Sequence, residues 1–311
     1  MYNNGITRKI VLWGLPGSGK TTFLLAFLKA MRLFGADMGW NYALQTPKNQ
    51  ANDIFQKNIL PEFIEAHKLP GHTKHITNIP IDLYFQNARG NIVFDHSFEI
   101  VDAPGESILE DERYLKNLSD TDALICILDR PQSNQNYLKA LPVLQDYLRA
   151  TNGKSQLRVA FCLAKADNHM HFSTYNIMAK EAPRDQQGSF RKSIASVIGQ
   201  GVLVSMEQLV SGAQSRYFVT SSVGWTQAKH SGFFPNCVSV SGESSLHIYK
   251  PALWEPNGVL EVILWLLDEL DLRLQDPEME ILRYEQMTRL YWKWYKETNR
   301  IESFHNWVAR H

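Results

Sequence analysis

The sequence predicts an α/β protein: a mostly parallel sheet with helices on both faces, one antiparallel strand and an α-helical C-terminal appendage. Three observations predict it. A short apolar strand over 9–13 runs through a glycine-rich turn into a strong helix former over 22–31. Near-continuous apolar runs recur at 123–128, 158–163 and 217–220, as in parallel strands buried on both faces. Helical periodicity separates these runs, and strands alternating with helices build a sheet with right-handed crossovers.

Composition allows such a fold and excludes several others. With 311 residues, 44% of them hydrophobic, the chain can bury a large core. Lys+Arg and Asp+Glu both number 32, so no overall field recruits nucleic acid or an anionic membrane. Cys126 and Cys162 lie inside apolar runs and Cys237 stands apart, the pattern of reduced thiols in a cytoplasmic protein. Met1-Tyr2-Asn3-Asn4-Gly5 lacks the basic-then-apolar pattern of a signal peptide, and no apolar run approaches the ~18 residues of a membrane span.

After the first helix, residues 35–80 are of mixed character. Ile54, Phe55, Ile59, Phe63 and Ile64 give 49–67 helical spacing, which Pro61 kinks or divides. A loop over 69–73 leads to a strand at 81–85, a turn at 87–91 and a returning strand at 92–101. Further helices are expected near 109–118, 136–150 and 190–209. Residues 222–252 are rich in glycine and serine and are expected to form a loop with a small hairpin. An amphipathic helix over 258–274 closes the domain. The organisation is therefore one domain, 1–275, with insertions at about 35–80 and 223–252, and a helical extension, 276–311. The extension carries an apolar stripe including Leu282, Leu290, Tyr291 and Trp294, expected to pack on the domain.

The chemistry starts at Gly14-Leu15-Pro16-Gly17-Ser18-Gly19-Lys20-Thr21, a full match to G-x-x-x-x-G-K-[ST] between a strand and a helix. That arrangement aims backbone N–H groups and a helix N-terminus at one anion. Gly14, Pro16, Gly17, Ser18, Gly19, Lys20, Thr21 and Thr22 are the candidate phosphate-binding residues, so the sheet is of the P-loop NTPase kind. Lys20 supplies a point charge for the β- and γ-phosphates, and the Thr21 hydroxyl suits Mg²⁺.

Two further motifs end strands. Asp102-Ala103-Pro104-Gly105 places a carboxylate where it can hold Mg²⁺ through water and an N–H, that of Gly105, where it can meet a γ-phosphate oxygen. Lys165-Ala166-Asp167 offers a lysine stem to lie over a purine and a carboxylate that accepts from guanine N1–H and its amine. Thr220-Ser221-Ser222 follows the next strand and can offer an N–H to the guanine carbonyl. Each motif alone also reads as an ordinary surface loop; their order, each at a strand's carboxyl end, argues for chemistry.

Together these residues resemble the Ras-like GTPases of the translation-factor-related P-loop class, over residues 9 to about 222. The long insertion, the Leu-Pro-Gly-His-Thr loop at 69–73 and Asp-Ala-Pro-Gly-Glu at 102–106 look most like the bacterial double-GTPase families, inferred parts of conflict or defence systems. The resemblance implies GTP and GDP as ligands, Mg²⁺ as cofactor, and a protein effector or companion GTPase as partner. It implies that Thr73, with Thr77 as the alternative, joins Thr21 and Asp102 at the metal. Lys20, Thr73, Gly105 and Glu106 are then the catalytic set.

The chain departs from the family at three places. Ala164 stands where an Asn or Thr usually braces the base loop to the phosphate loop. Glu106 stands where a glutamine usually orients water; an ionised carboxylate repels the γ-phosphate, so slow hydrolysis is expected. Pro16 replaces a small flexible residue. Arg89, Arg113 and Arg130 are conceivable arginine fingers in cis, though each reads more simply as a surface residue, and His169 and His171 read more simply as loop than as metal ligands. A nucleotide-bound interaction module with little hydrolysis, or a P-loop ATPase or kinase, are the rival functions.

Overall fold

The computed structural model describes residues 8–35, 40–47, 49–71, 76–86, 92–103, 120–130, 134–150, 157–180, 183–228, 232–241 and 246–269. Seven strands form one sheet in the order β2-β3-β4-β1-β5-β6-β7. These are β1 (Arg8–Trp13), β2 (Trp40–Leu44), β3 (Thr77–Gln86), β4 (Ile92–Asp102), β5 (Ala123–Leu128), β6 (Arg158–Leu163) and β7 (Gln214–Val219). β3 pairs antiparallel with both neighbours while every other pairing is parallel, so β3 alone runs against the sheet. This is the mostly parallel α/β fold with one reversed strand that the sequence predicts.

Alternation along the central strands divides the core in two. Ile10 and Leu12 of β1, Ile125 and Ile127 of β5 and Cys162 of β6 face one layer; Val11, Trp13, Leu124, Cys126 and Phe161 face the other. The first layer holds α1 (Lys20–Ala30), α2 (Gln50–Ile54), α3 (Leu60–Ile64) and, numbered last in the chain, the closing helix Val259–Glu269. The second layer holds α4 (Asn134–Ala150), α5 (Ala166–His169), α6 (Phe172–Lys180), α7 (Pro183–Ile198) and α8 (Gln200–Leu209). The closing helix is therefore α9. α1 buries Phe23, Leu24, Leu25, Phe27 and Leu28, at about 1.5–3 kcal/mol for each such side chain.

Several elements differ from the sequence reading for local reasons. The helix expected over 49–67, with Pro61 kinking or dividing it, runs without a gap as α2, a π-type turn at Phe55–Ile59 and α3. Pro61 has no N–H for a carbonyl one turn back, and the wider turn accommodates its ring. The helix expected near 190–209 is two, α7 and α8, parted by Gly199 at φ 95°. β2, unrecognised inside the mixed stretch, is an edge strand. β7 starts earlier than its apolar run because Gln214, Ser215 and Arg216 sit on the other edge of the sheet. α5 occupies what reads as loop, and α6 lies where no element is predicted. The helix near 109–118, the turn at 87–91 and the extension 276–311 lie outside the described residues.

The 223–252 stretch carries two antiparallel pairs where one small hairpin is expected. β8 (Trp225–Ala228) pairs with β9 (Gly232–Pro235), and β10 (Cys237–Ser239) with β11 (Leu246–Ile248). β11 also straps the chain beyond α3: Lys68 bridges His247, Leu69 N–H donates to Leu246 O at 2.8 Å, and Ile248 N–H to His67 O at 2.8 Å. Trp254, buried edge-on against Phe63 with centroids 4.6 Å apart, donates its indole N–H to Ser222 O at 3.0 Å.

Candidate nucleotide site

The chain leaves β1 for the far edge at β2, returns inward through β3 to β4 beside β1, and then builds outward on the other side from β5, so β1 is the switch point of the sheet. Crevices at the carboxyl ends of strands open at such points. Gly14 turns the chain there, and no larger residue fits: a Cβ would stand 2.4 Å from Ile127 O of β5. Gly17 and Gly19 have φ of 73° and 94°, the left-handed region that glycine enters without strain. Pro16 and Gly17 stand exposed at the loop tip, while Ser18 and Lys20 are buried. Lys20 Nζ donates to Gly14 O at 2.8 Å and Leu15 O at 3.3 Å, which holds the ammonium inside the curve of the loop. Thr22 is half-buried in the first turn of α1.

Asp102 ends β4 opposite Leu12 of β1, which brings it beside the start of α1. It is 1% exposed, and Thr21 Oγ1 donates to its Oδ2. Burial pushes the carboxyl up to about 6, against the Thr21 hydrogen bond and the Lys20 charge. Asp102 Oδ1 is buried and has no donor among the described residues. A hydroxyl and a carboxylate with a bare oxygen are hard donors of the kind Mg²⁺ takes, so Thr21 and Asp102 fit such an ion. Thr77 starts β3 directly across from Asp102 and is buried. Thr73, Gly105 and Glu106 lie outside the described residues, as do Arg89 and Arg113; Arg130 is exposed.

β6 delivers Lys165 in a left-handed backbone conformation, φ 52°, at a cost of about 1–2 kcal/mol for a residue with a Cβ. Its Nζ donates to Gly17 O of the phosphate loop at 2.8 Å. Ala164 has no side-chain donor for the brace an Asn or Thr would make, and Lys165 itself joins the two loops. Asp167, 7% exposed, accepts from the Ser221 hydroxyl, whose oxygen in turn accepts from Gly224 N–H at 2.9 Å. Burial raises the Asp167 carboxyl, with Ser221 opposing. Ala166 N–H donates to Thr220 O at 3.0 Å, tying the two loops together. Ser222 follows, half-buried.

One residue of the site escapes the sequence reading. Asp129 directly follows β5 and sits 2.6 Å from Lys165 Nζ and 2.7 Å from His169 Nε2. Burial works against its charge, yet His169 and Lys165 prevail and hold its carboxyl below the usual range. The signal was present: an acid at the carboxyl end of a buried strand, as for Asp102. His169 lies on α5 rather than in a loop, and among the described residues no cluster of three potential ligands could hold a metal through it.

Phosphate loop, acid-hydroxyl pair and base-type loop thus line one rim of the sheet, the carboxyl ends of β1, β4, β6 and β7, and this defines a P-loop α/β protein. No family model and no curated protein matches the chain. Among solved structures it is similar to one described as nucleolar GTP-binding protein 1 from Plasmodium falciparum, over 93% of this chain and 97% of that one. The identity is 11% and the TM-score 0.37, and a likeness this loose assigns neither family nor activity. Among the described residues no helix is long and apolar enough to cross a membrane.

Proposed function

We propose that the chain binds guanine nucleotides and hydrolyses GTP to GDP with Mg²⁺, as a molecular switch. The observation that carries this reading is the join between the two loops. Lys165 rests its ammonium on Gly17 O, and two residues later Asp167 presents a buried carboxylate beside Ser221. A lysine stem held over the phosphate loop and an acceptor-only carboxylate suit a purine with two adjacent donors, which is guanine and not adenine. Catalysis in this reading is positioning and charge stabilisation by Lys20, the loop amides and the ion on Thr21 and Asp102. Thr73, Gly105 and Glu106 complete it, and the carboxylate of Glu106 keeps hydrolysis slow. The resemblance to double-GTPase families adds a cytoplasmic setting and a companion GTPase or other protein effector.

The test is a competition series of GTP, XTP and ATP on the wild type and Asp167→Asn. The substitution sets a donor against a guanine donor, which costs roughly 3 kcal/mol, about a hundredfold in affinity. Xanthine carries an oxygen there, so XTP binding recovers. A wild type indifferent to the base, or a mutant that shows no turn toward XTP, defeats the guanine reading. Single-turnover hydrolysis on the same sample separates a GTPase from a module that only binds.

A further inference from the structure

We propose that Asp129 is the positioning residue of base recognition, a carboxylate from β5 that clamps the base-reading turn at both ends; this rests on the guanine reading above. Lys165 and His169 flank Asp167, the first two residues before it and the second two after. Both reach the same carboxylate: Lys165 Nζ at Oδ2 across 2.6 Å and His169 Nε2 at Oδ1 across 2.7 Å. Asp167 therefore sits in a short arc whose two ends are held by one group on another strand.

The arc needs an outside anchor. Lys165 is the residue in left-handed backbone, and Ala164 before it has no polar side chain with which to hold the loop. Asp129 is well made for the task. Its own side chain is only 14% exposed, and Arg130 N–H donates to Oδ1 at 2.7 Å. Its backbone is locked by Tyr137 of α4, whose hydroxyl accepts from Asp129 N–H at 3.0 Å and donates to Asp129 O at 2.9 Å. Lys165 Nζ spans from this carboxylate to Gly17 O, and its Cε lies 3.9 Å from where a Cβ on Gly19 would stand. Asp129 thereby fixes the stem of Lys165 alongside the phosphate loop, where a purine plane would lie on it.

The experiment compares a fluorescent GDP with inorganic tripolyphosphate as ligands for the full chain, carrying Asp129→Ala or the milder Asp129→Asn. A positioning role predicts about a tenfold loss of GDP affinity for Asp129→Ala, a smaller loss for Asp129→Asn, and tripolyphosphate binding within twofold of wild type. It further predicts coupling. In a Lys165→Met background, which keeps the apolar stem and removes the ammonium, Asp129→Ala costs threefold at most. GDP affinity unchanged in both variants overturns the proposal. So does an equal fall for both ligands, which marks general damage to the phosphate loop, or losses that multiply independently with Lys165→Met. A wild type that binds GDP no better than ADP defeats the guanine reading itself, and the proposal with it.

Discussion

Thr21 Oγ1 and Asp102 Oδ2 lie 2.5 Å apart although 81 positions separate them in the chain, and the other oxygen of that carboxylate is buried without a described donor. In the function proposed above, the pair seats either a proton or Mg²⁺. Because burial lifts Asp102 from 3.8 to about 6, the folded protein holds this proton more tightly than the unfolded chain does. The carboxyl favours folding most below its ordinary value, and that contribution is lost as pH rises through about 6. An ion on the ionised carboxylate restores it. Mg²⁺ should therefore raise the melting temperature well above pH 6 and lose its effect below it. Asp102→Asn should melt higher than the wild type at neutral pH without Mg²⁺ and ignore the ion. A wild type indifferent to Mg²⁺ at neutral pH removes the ion from this seat.

Lys20→Ala should abolish tight triphosphate binding. Its ammonium is the charge held inside the loop, on Gly14 O and Leu15 O. Charge-assisted contacts contribute about 1.5–3 kcal/mol each, at least tenfold in affinity. Calorimetric titration with GTP measures it, and an unchanged affinity in a folded variant discards the phosphate-loop reading.

The glycines of the loop should differ in tolerance. Gly14→Ala drives a Cβ into the Ile127 carbonyl and should destabilise by roughly 1–3 kcal/mol. Gly17→Ala meets nothing within 4 Å and bears only the strain of its positive φ, about 1–2 kcal/mol. Denaturant midpoints of the two variants rank them; a Gly14→Ala protein as stable as wild type contradicts the close approach of the loop to β5.

Tyr137→Phe keeps the ring but leaves the Asp129 N–H and C=O without their hydroxyl partner. A stability loss of about 1–3 kcal/mol is expected, read as a lowered melting temperature. No loss at all means that water serves those groups equally well.

Much of the sheet was legible because buried parallel strands are apolar on both faces: β5 and β6 stand out as uninterrupted runs. Edge strands do not. β2 and the first half of β7 carry polar residues that a central strand would exclude. The phosphate loop was legible because each glycine answers a local backbone demand. Asp129 was legible only as an acid ending a buried strand; its partners Lys165 and His169 lie 36 and 40 positions away, and no short motif encodes that distance. The same limit explains Lys165 itself, which replaces the brace that Ala164 cannot make.

The β11 strap has a consequence for how the protein is made. Among the described residues, His67 and Leu69 find their strand partners in Ile248 and Leu246, roughly 180 residues further along the chain. At a synthesis rate of about 5–20 residues per second, the segment beyond α3 waits roughly 10–35 s on the ribosome for that partner. Until then the His67 carbonyl and the Leu69 N–H lack those partners, so the strap closes only after residue 248 has been made.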